Sequence, residues 1–461
     1  MTTSPYDSIS RQSDLIRTGE LKPSEIVSRC CSRIEAFENR LGAFQSTCID
    51  QARTAAIAAD AAIESGHRIG PFHGMPFALK DIVEVENLIT TAGCRMRERH
   101  LSTTTATIAR RLLAAGGILL GKTKTVEFAF GGWGTNQHMG TPWNPWDPNR
   151  PRTPGGSSSG SAVAVAAGLA GCAVGTDTGG SVRLPAAWCG IVGLKVTEGI
   201  LPTDGIVPLS HTLDTPGPLA RCVDDVTLMY ETLAGRSPVD IDKDRATRTG
   251  LWFALDRGIE GLLLGELPAI ERECVDQAVL CLYDEALETL RLRGARVETF
   301  ESPPDFETLK QSSGVIMAAE GYYHHGALYE DATAILDEAV RPRILAGANI
   351  SAATYIAAHR QRRKDRATFS RALGRFDALL TPTTMTTAVP VHDIDQAATP
   401  ARFTRAANYL GLCGLSLPMG LTPERLPGAL QVMASSNCEA MVLRIGAEFE
   451  RHAPLIGAPP L

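Results

Sequence analysis

The first half of the chain alternates between helical and extended patterns. Residues 1–65 place apolar side chains at helical spacing, which predicts an outer layer of helices. The apolar run 77–79 follows a proline-rich turn and predicts a short strand. A helical pattern over 105–115 and a second apolar run at 118–120 complete a strand–helix–strand unit. Units of this kind are typical of an α/β sheet.

The same alternation returns in the second half of the chain. Residues 251–255 predict a strand, 275–290 a helix with one apolar face, and 296–300 another extended segment. The remainder of the segment 238–374 is rich in amphipathic helix, so we expect it to cover the sheet and to form one wall of a pocket. We therefore predict one large α/β unit.

Composition is uneven between residues 131 and 193. This stretch holds 14 of the 43 glycines and four of the five tryptophans, but only five charged residues. It could be a flexible linker or a buried site at which backbone approaches a ligand closely. Because the apolar run 162–167 lies between two glycine-rich turns, we interpret the stretch as part of the core.

Net charge, hydropathy and cysteine content argue against several classes of partner. The net charge of −6 over 461 residues disfavours a general affinity for nucleic acid. The apolar stretch 162–175 is shorter than the ~20 residues of a membrane span, and residues 1–17 do not resemble a secretory signal. The 11 scattered cysteines fit reduced thiols. We expect a cytoplasmic protein without a membrane or nucleic-acid partner, and we interpret the basic run 360–366 as a solvated helix face.

Two short motifs fit the patterns of other site classes. Residues 116–123 match the spacing of a phosphate-binding loop, but a helical pattern precedes them and their Ile-Leu-Leu centre predicts a strand, which disfavours ATP binding. Residues 156–160 match the G-x-S-x-G pattern of α/β-hydrolases, but no downstream histidine lies in a recognisable context. Both classes are therefore set aside.

Two glycine-rich turns that each carry a serine are the strongest candidates for a site. The first contains Ser157, and the second, residues 175–183, contains Ser181, 24 residues further along the chain. Consecutive glycines before a serine leave backbone N–H groups free to converge on one point, as an oxyanion site requires. Lys80 ends the first predicted strand.

These residues resemble the amidase signature hydrolases. The resemblance covers about residues 71–221 and is weaker at 376–383 and 414–420; it rests on Lys80 and the turns 155–158 and 176–181. It implies an α/β fold with a large, mostly mixed, twisted central sheet covered by helices on both faces. It also implies one amidase domain over 1–461, composed of an N-terminal helical layer, a catalytic core, a helical covering segment and a C-terminal return to the sheet, at 1–65, 71–221, 238–374 and 375–461.

The resemblance also implies a role for each motif residue. Ser181 would be the nucleophile, Lys80 the base, and Ser157 the serine that bridges them, following a cis peptide bond. A lysine can act as a base only when it is neutral, which requires burial, and the charge-poor surroundings are expected to supply it. Neither a metal nor an organic cofactor is needed. The oxyanion hole would consist of the backbone amides of Thr178, Gly179, Gly180 and Ser181.

Four further residues are candidates for the substrate pocket. Trp133, His138 and Met139 lie in a segment, residues 131–140, that borders the acyl pocket in members of the resembled family. Arg183 matches a family arginine that we interpret as mainly structural, with binding of a substrate carboxylate as the alternative.

The resemblance implies hydrolysis of a small-molecule carboxylic amide to a carboxylate and ammonia or an amine. Two alternatives stay open: the glutaminase subunit of a tRNA-dependent amidotransferase, and a hydrolase of ureido amides such as biuret or allophanate. The net charge of −6 and the sequence around Trp133 favour a free-standing enzyme. The substrate and the oligomeric state stay open, a homodimer being common among relatives.

Overall fold

A computed structural model describes residues 4–461, and its centre is a single sheet. The strands, in chain order, are β1 (Phe44–Thr47), β2 (Pro76–Lys80), β3 (Ile118–Thr123), β4 (Cys172–Asp177), β5 (Val192–Lys195), β6 (Thr215–Ala220), β7 (Leu263–Glu266), β8 (Arg296–Thr299), β9 (Ala378–Pro382), β10 (Cys413–Leu421) and β11 (Pro427–Ala434). Their spatial order is β1-β3-β2-β4-β6-β5-β10-β11-β9-β7-β8.

Helices connect the strands and pack against the sheet. They are α1 (Ile9–Arg17), α2 (Pro23–Leu41), α3 (Ile49–Glu64), α4 (Thr107–Ala114), α5 (Ser159–Ala166), α6 (Arg183–Cys189), α7 (Val223–Leu233), α8 (Pro238–Thr247), α9 (Gly250–Asp256), α10 (Ala269–Arg272), α11 (Gln277–Leu292), α12 (Phe306–Glu330), α13 (Arg341–Leu345), α14 (Ala352–Leu373), α15 (Thr404–Leu410) and α16 (Glu439–His452). Short 3₁₀ turns span Arg95–Arg97, Glu127–Ala129, Ala346–Asn349 and Val391–Asp393.

The sheet mixes parallel and antiparallel pairs. Strand β2 runs parallel to both β3 and β4, and β7 runs parallel to both β8 and β9. The remaining pairs are antiparallel. The prediction of an α/β fold around a large mixed sheet is confirmed.

The parallel strands β2 and β4 position the candidate site. Leu79 of β2 pairs with Val174 of β4, so the carboxyl ends of the two strands meet at one edge of the sheet. Both strands are completely buried, which agrees with their apolar first residues, 76–79 in β2 and 172–174 in β4. Helix α5 leads into β4, and all eight of its residues are buried. A Cβ on Gly160 of α5 would lie 2.1 Å from Ala43 O, so glycine is required where the helix meets the backbone.

Two predictions of secondary structure are wrong. Residues 251–255 form part of helix α9, not a strand, with Trp252 and Leu255 buried on one face. A short apolar run fits a buried strand and a buried helix equally well, and the strand of this region is β7. The N-terminal layer also contains a strand, β1, which is too short to show a period and pairs with β3 at the edge of the sheet.

The basic run 360–366 lies on helix α14 and agrees only in part with a solvated face. Arg363 is exposed, as expected. Arg362 is buried and donates to Tyr409 O at 2.7 Å and to Glu198 at 2.9 Å, so it joins the helix to its neighbours. Across residues 4–461, no helix combines the length and the apolar character that crossing a bilayer would need.

Candidate active site

Lys80 lies at the end of β2 and is fully buried. Its Nζ donates to Ser157 Oγ at 2.7 Å and to Thr176 Oγ1 at 2.8 Å. Burial lowers the pKa of Lys80 to about 7, although the carboxylates of Asp214 and Asp177 act in the opposite direction. Because both hydrogen-bond partners are hydroxyls, the amine can be neutral near neutral pH without separating an ion pair.

The turn that carries Ser157 is fixed by its backbone. The peptide bond between Gly156 and Ser157 is cis, as the resemblance implies. Gly156 N donates to Gly132 O at 2.8 Å, and Ser157 O accepts from Thr125 Oγ1 at 2.9 Å. A Cβ on Gly156 would lie 2.6 Å from Gly134 N, so this position requires glycine. These contacts hold the Ser157 hydroxyl against the lysine amine.

Ser181 lies in the turn between β4 and α6. It is 7% exposed and borders a cavity. Ser158 N donates to Ser181 O at 3.2 Å, which joins the two serine-bearing turns. The structure therefore places Lys80 in contact with Ser157, and Ser181 in the adjoining turn at the carboxyl end of β4.

The carboxylate of Asp177 organises the second turn. It accepts from Gly180 N at 2.7 Å and from Val182 N at 3.2 Å. The Arg183 guanidinium donates to the same carboxylate through Nε at 3.0 Å and Nη2 at 2.8 Å. Burial alone would raise the pKa of Asp177, but the Arg183 charge beside it lowers that pKa to about 2. Asp177 is therefore ionised and structural.

These contacts change the set of candidate oxyanion donors. The amide of Gly180 already donates to Asp177, so the prediction that it faces the oxyanion is not supported. Among residues 4–461, no acceptor contacts the three other predicted amides, which belong to Thr178, Gly179 and Ser181. Position 180 instead requires glycine for steric reasons, because a Cβ there would lie 2.3 Å from Thr404 Oγ1.

A cavity of about 270 Å³ lies beside Ser181. Its wall is mostly apolar and combines the turn 178–181 with helix α12 and the start of α15. Within residues 4–461, no three His, Cys, Asp or Glu side chains lie together as a metal site would need. The wall consists of Ala129, Phe130, Gly131, Gly132, Thr178, Gly179, Ser181, Leu184, Leu209, Gly314, Met317, Ala318, Arg343, Ala346, Ala397, Ala398, Thr399, Ala401 and Arg405.

Three of the predicted pocket residues are not part of this wall. Trp133 stacks on Trp188, with ring centroids 5.5 Å apart, and its Nε1 donates to Ala398 O at 3.1 Å. His138 Nε2 lies 3.0 Å from Leu336 O. Met139 follows the same turn, where its N donates to Asn136 Oδ1 at 2.8 Å. The prediction that Trp133, His138 and Met139 line the pocket is therefore not supported for this cavity.

Arg183 is likewise absent from the wall of this cavity. It is fully buried and donates to Asp177, to Gln431 Oε1 at 2.7 Å and to Asn408 Oδ1 at 2.7 Å. These partners agree with the interpretation of Arg183 as a structural brace. Because these bonds are internal and the side chain is fully buried, they do not favour the alternative, a substrate carboxylate bound by this residue.

Sequence reasoning missed Thr176 and Arg405. Thr176 could have been found, because it is the first residue of the motif turn 176–181, although the resemblance assigned it no role. Arg405 gives no such signal, since it lies on α15, far along the chain from the motif turns.

The sequence and the fold are both similar to known proteins. The family model described as Amidase matches residues 25–443. A 2-amino-5-chloromuconic acid deaminase of Comamonas testosteroni is 34% identical over 98% of this chain and 98% of its own length. A glutamyl-tRNA(Gln) amidotransferase subunit from Symbiobacterium thermophilum is 35% identical over 96% of each chain. The structure of the peptide amidase of Stenotrophomonas maltophilia has a TM-score of 0.84 and 29% identity over 98% of each chain. The chain therefore belongs to the amidase signature family of amide-hydrolysing enzymes.

Proposed function

We propose that this protein hydrolyses a small carboxylic amide through an acyl-enzyme on Ser181. The observation that carries the proposal is the contact of a fully buried lysine with a serine hydroxyl, Lys80 Nζ to Ser157 Oγ at 2.7 Å. Serine is a poor nucleophile until a base removes its proton. A lysine whose pKa is about 7 is neutral often enough near neutral pH to be that base.

The proposed reaction transfers a proton from Ser181 through Ser157 to Lys80 and then returns a proton to the leaving group. Neutral Lys80 takes the proton of Ser157 while Ser157 takes the proton of Ser181, and Ser181 Oγ forms a bond to the amide carbon. The C–N bond then breaks, and the nitrogen leaves as ammonia or an amine with the proton returned through Ser157. Water enters by the same route, attacks the ester and releases the carboxylate and the free serine.

The backbone amides of Thr178, Gly179 and Ser181 are the proposed donors to the oxyanion. Support comes from their lack of an acceptor among residues 4–461, in contrast to Gly180. Donors of this kind stabilise the charge that develops in the transition state, and loss of one costs about 10²–10³-fold in rate.

Two kinds of amidase have to be separated. One relative is named as a deaminase of a small acid, and another as part of a glutamyl-tRNA(Gln) amidotransferase. We propose a stand-alone hydrolase of small-molecule amides, because a net charge of −6 offers no broad basic surface for tRNA. A cytoplasmic location is part of the proposal and agrees with the 11 scattered cysteines. A glutaminase component of such a complex is the second candidate, since those relatives are similarly close in sequence.

Ammonia release by the purified chain tests the proposal. The panel contains aliphatic, aromatic and ureido amides together with glutamine. We expect the wild type to hydrolyse small amides alone and Ser181→Ala to reduce turnover to background. Ser159→Ala is the matched control, because that buried serine contacts Lys124 O rather than Lys80, and it should keep most of the activity. Activity on glutamine only, and only with partner proteins, would favour the second candidate, and an active Ser181→Ala variant would refute the mechanism.

A further inference from the structure

The cavity beside Ser181 has two arginines in its wall and, among residues 4–461, no carboxylate. The two are Arg343 and Arg405. Arg343 is engaged by the chain itself, because its Nη1 donates to Phe130 O at 2.7 Å and its Nη2 donates to Gln396 O at 2.6 Å. Arg343 therefore closes the wall by joining two loops.

Arg405 differs because most of its donors have no partner in the protein. A guanidinium carries five N–H donors. Across residues 4–461, the one side-chain hydrogen bond of Arg405 runs from Nη1 to Lys310 O at 3.1 Å, and no ion pair reaches it. The remaining donors are available to whatever enters the cavity.

Arg405 lies against the turn that carries the nucleophile. A Cβ on Gly179 would lie 3.1 Å from Arg405 Cγ and 3.6 Å from its Nε. On the other side, a Cβ on Gly314 of α12 would lie 3.5 Å from Nη1. Since Gly179 is two residues before Ser181, the guanidinium and the serine belong to the same small cavity.

The acid whose charge acts on Arg405 is already neutralised by others. Glu307 forms ion pairs with Lys310 and with Arg402, each at 2.7 Å. Burial, followed by the charge of Arg343, lowers the pKa of Arg405 to about 10, and Glu307 opposes this shift. The guanidinium is therefore charged at neutral pH and has no counterion of its own.

A cation that is largely withdrawn from water and has no counterion destabilises a fold. Elsewhere in this protein the cost is avoided, as at Arg183, which bonds the Asp177 carboxylate through two nitrogens. An anion that enters the cavity from outside the chain would supply the counterion that the Arg405 guanidinium lacks.

We propose that Arg405 binds a carboxylate on the acyl part of the substrate, so that the enzyme prefers monoamides of short dicarboxylic acids. This inference rests on the proposed function. A primary amide releases ammonia when Ser181 is acylated, so a charged group on the substrate belongs to the acyl part. A carboxylate accepts two guanidinium N–H donors at once. The apolar wall, with Leu209 and Met317, suits a short aliphatic spacer.

Kinetics on matched amides test the inference with the wild-type enzyme. Succinamate and glutaramate are compared with succinamide and glutaramide, which have the same shape but an uncharged amide in place of the carboxylate. We expect kcat/KM to be about 10- to 100-fold higher for the charged member of each pair, as a charge-assisted hydrogen bond would give. Succinate or glutarate should also inhibit more strongly than butyrate.

Variants of Arg405 identify the residue responsible. Arg405→Met should abolish the preference for the charged amides, mainly through KM, and Arg405→Lys should restore part of it. Arg363→Met is the matched control, because it removes an exposed positive charge from α14 and should keep the full preference.

The outcomes separate this inference from the proposed function. If kcat/KM of the wild type is the same for the diamides and the monoamides, the inference is wrong and the proposed function stands. If it hydrolyses no amide, the proposed function is wrong and the inference falls with it. If Arg405→Met does not fold, inhibition of the wild type decides, and equal inhibition by glutarate and butyrate overturns the inference.

Discussion

Two fully buried lysines, Lys80 and Lys122, end up with opposite roles on neighbouring strands. Lys122 lies on β3, in register with Leu79 of β2, so the two lysines are close in the sheet. Lys122 Nζ donates to the carboxylate of Asp81 at 2.9 Å and to Thr90 Oγ1 at 2.9 Å. Lys80 donates only to hydroxyls.

The difference between the two lysines is the charge of the partner. Burial lowers the pKa of both amines, but at Lys122 the adjacent carboxylate of Asp81 opposes the shift. Lys122 therefore forms a buried ion pair with Asp81 that joins a strand to a loop. It is also the lysine of the phosphate-loop spacing at residues 116–123, and its bonds within the core agree with the sequence-based argument against ATP binding there. Lys80 has no such partner and can exchange a proton.

Replacement of Lys80 should have the largest effect on activity. Lys80→Met keeps most of the length of the side chain but removes the proposed base, so we expect kcat for a small amide to fall by about 10³-fold or more. The fold should persist, because Lys80 contacts no carboxylate that the substitution would leave without a counterion. The measurements are ammonia release and thermal unfolding. Activity within ten-fold of the wild type would assign the base to another group.

Replacement of Lys122 should lower the stability of the fold instead. Lys122→Met leaves the buried carboxylate of Asp81 without its cation, which typically costs about 3–5 kcal/mol in the free energy of unfolding. The kcat of the folded enzyme should change little. Unfolding in urea measures the loss, and the double variant Lys122→Met/Asp81→Asn should regain part of it, since an amide oxygen at residue 81 can still accept from Thr91 N. A Lys122→Met enzyme with unchanged stability and a lowered kcat would show that Lys122 serves catalysis and not stability.

The comparison also shows how far the sequence could predict this site. Lys80, Ser157 and Ser181 lie in motifs that the resemblance covers, and the elements that carry them, β2, α5 and β4, follow from local apolar patterns. That pattern treats Lys80 and Lys122 alike, because both end apolar runs. Only the tertiary structure shows which lysine meets a carboxylate.

Other parts of the site depend on contacts between distant segments. The loss of Gly180 from the oxyanion donors depends on how the side chain of Asp177 is oriented, which no spacing reveals. Arg405 reaches the cavity because α15 packs against the turn at Gly179 and against α12. The segment 238–374 proved hardest to predict, because its amphipathic helices carry no motif, although one of them supplies Met317 to the cavity wall.

The pH dependence gives the finest test of the comparison. Only the neutral amine of Lys80 accepts a proton, so kcat/KM should rise about ten-fold per pH unit below a pKa of about 7 and level off above it. Thr176 Oγ1 accepts from the amine at 2.8 Å, and hydrogen bonds of this kind stabilise the charged form more than the neutral one.

Thr176→Val should therefore lower the pKa of Lys80 further and move the acidic limb to lower pH, by about one unit or less. Thr176→Ser keeps the acceptor and should return the limb to its wild-type position. The measurement is log(kcat/KM) against pH for an uncharged amide, so that the substrate does not titrate. A limb that stays in place in Thr176→Val would mean that another group controls it. In that case Lys80, like Lys122, would belong to the structure and not to the chemistry.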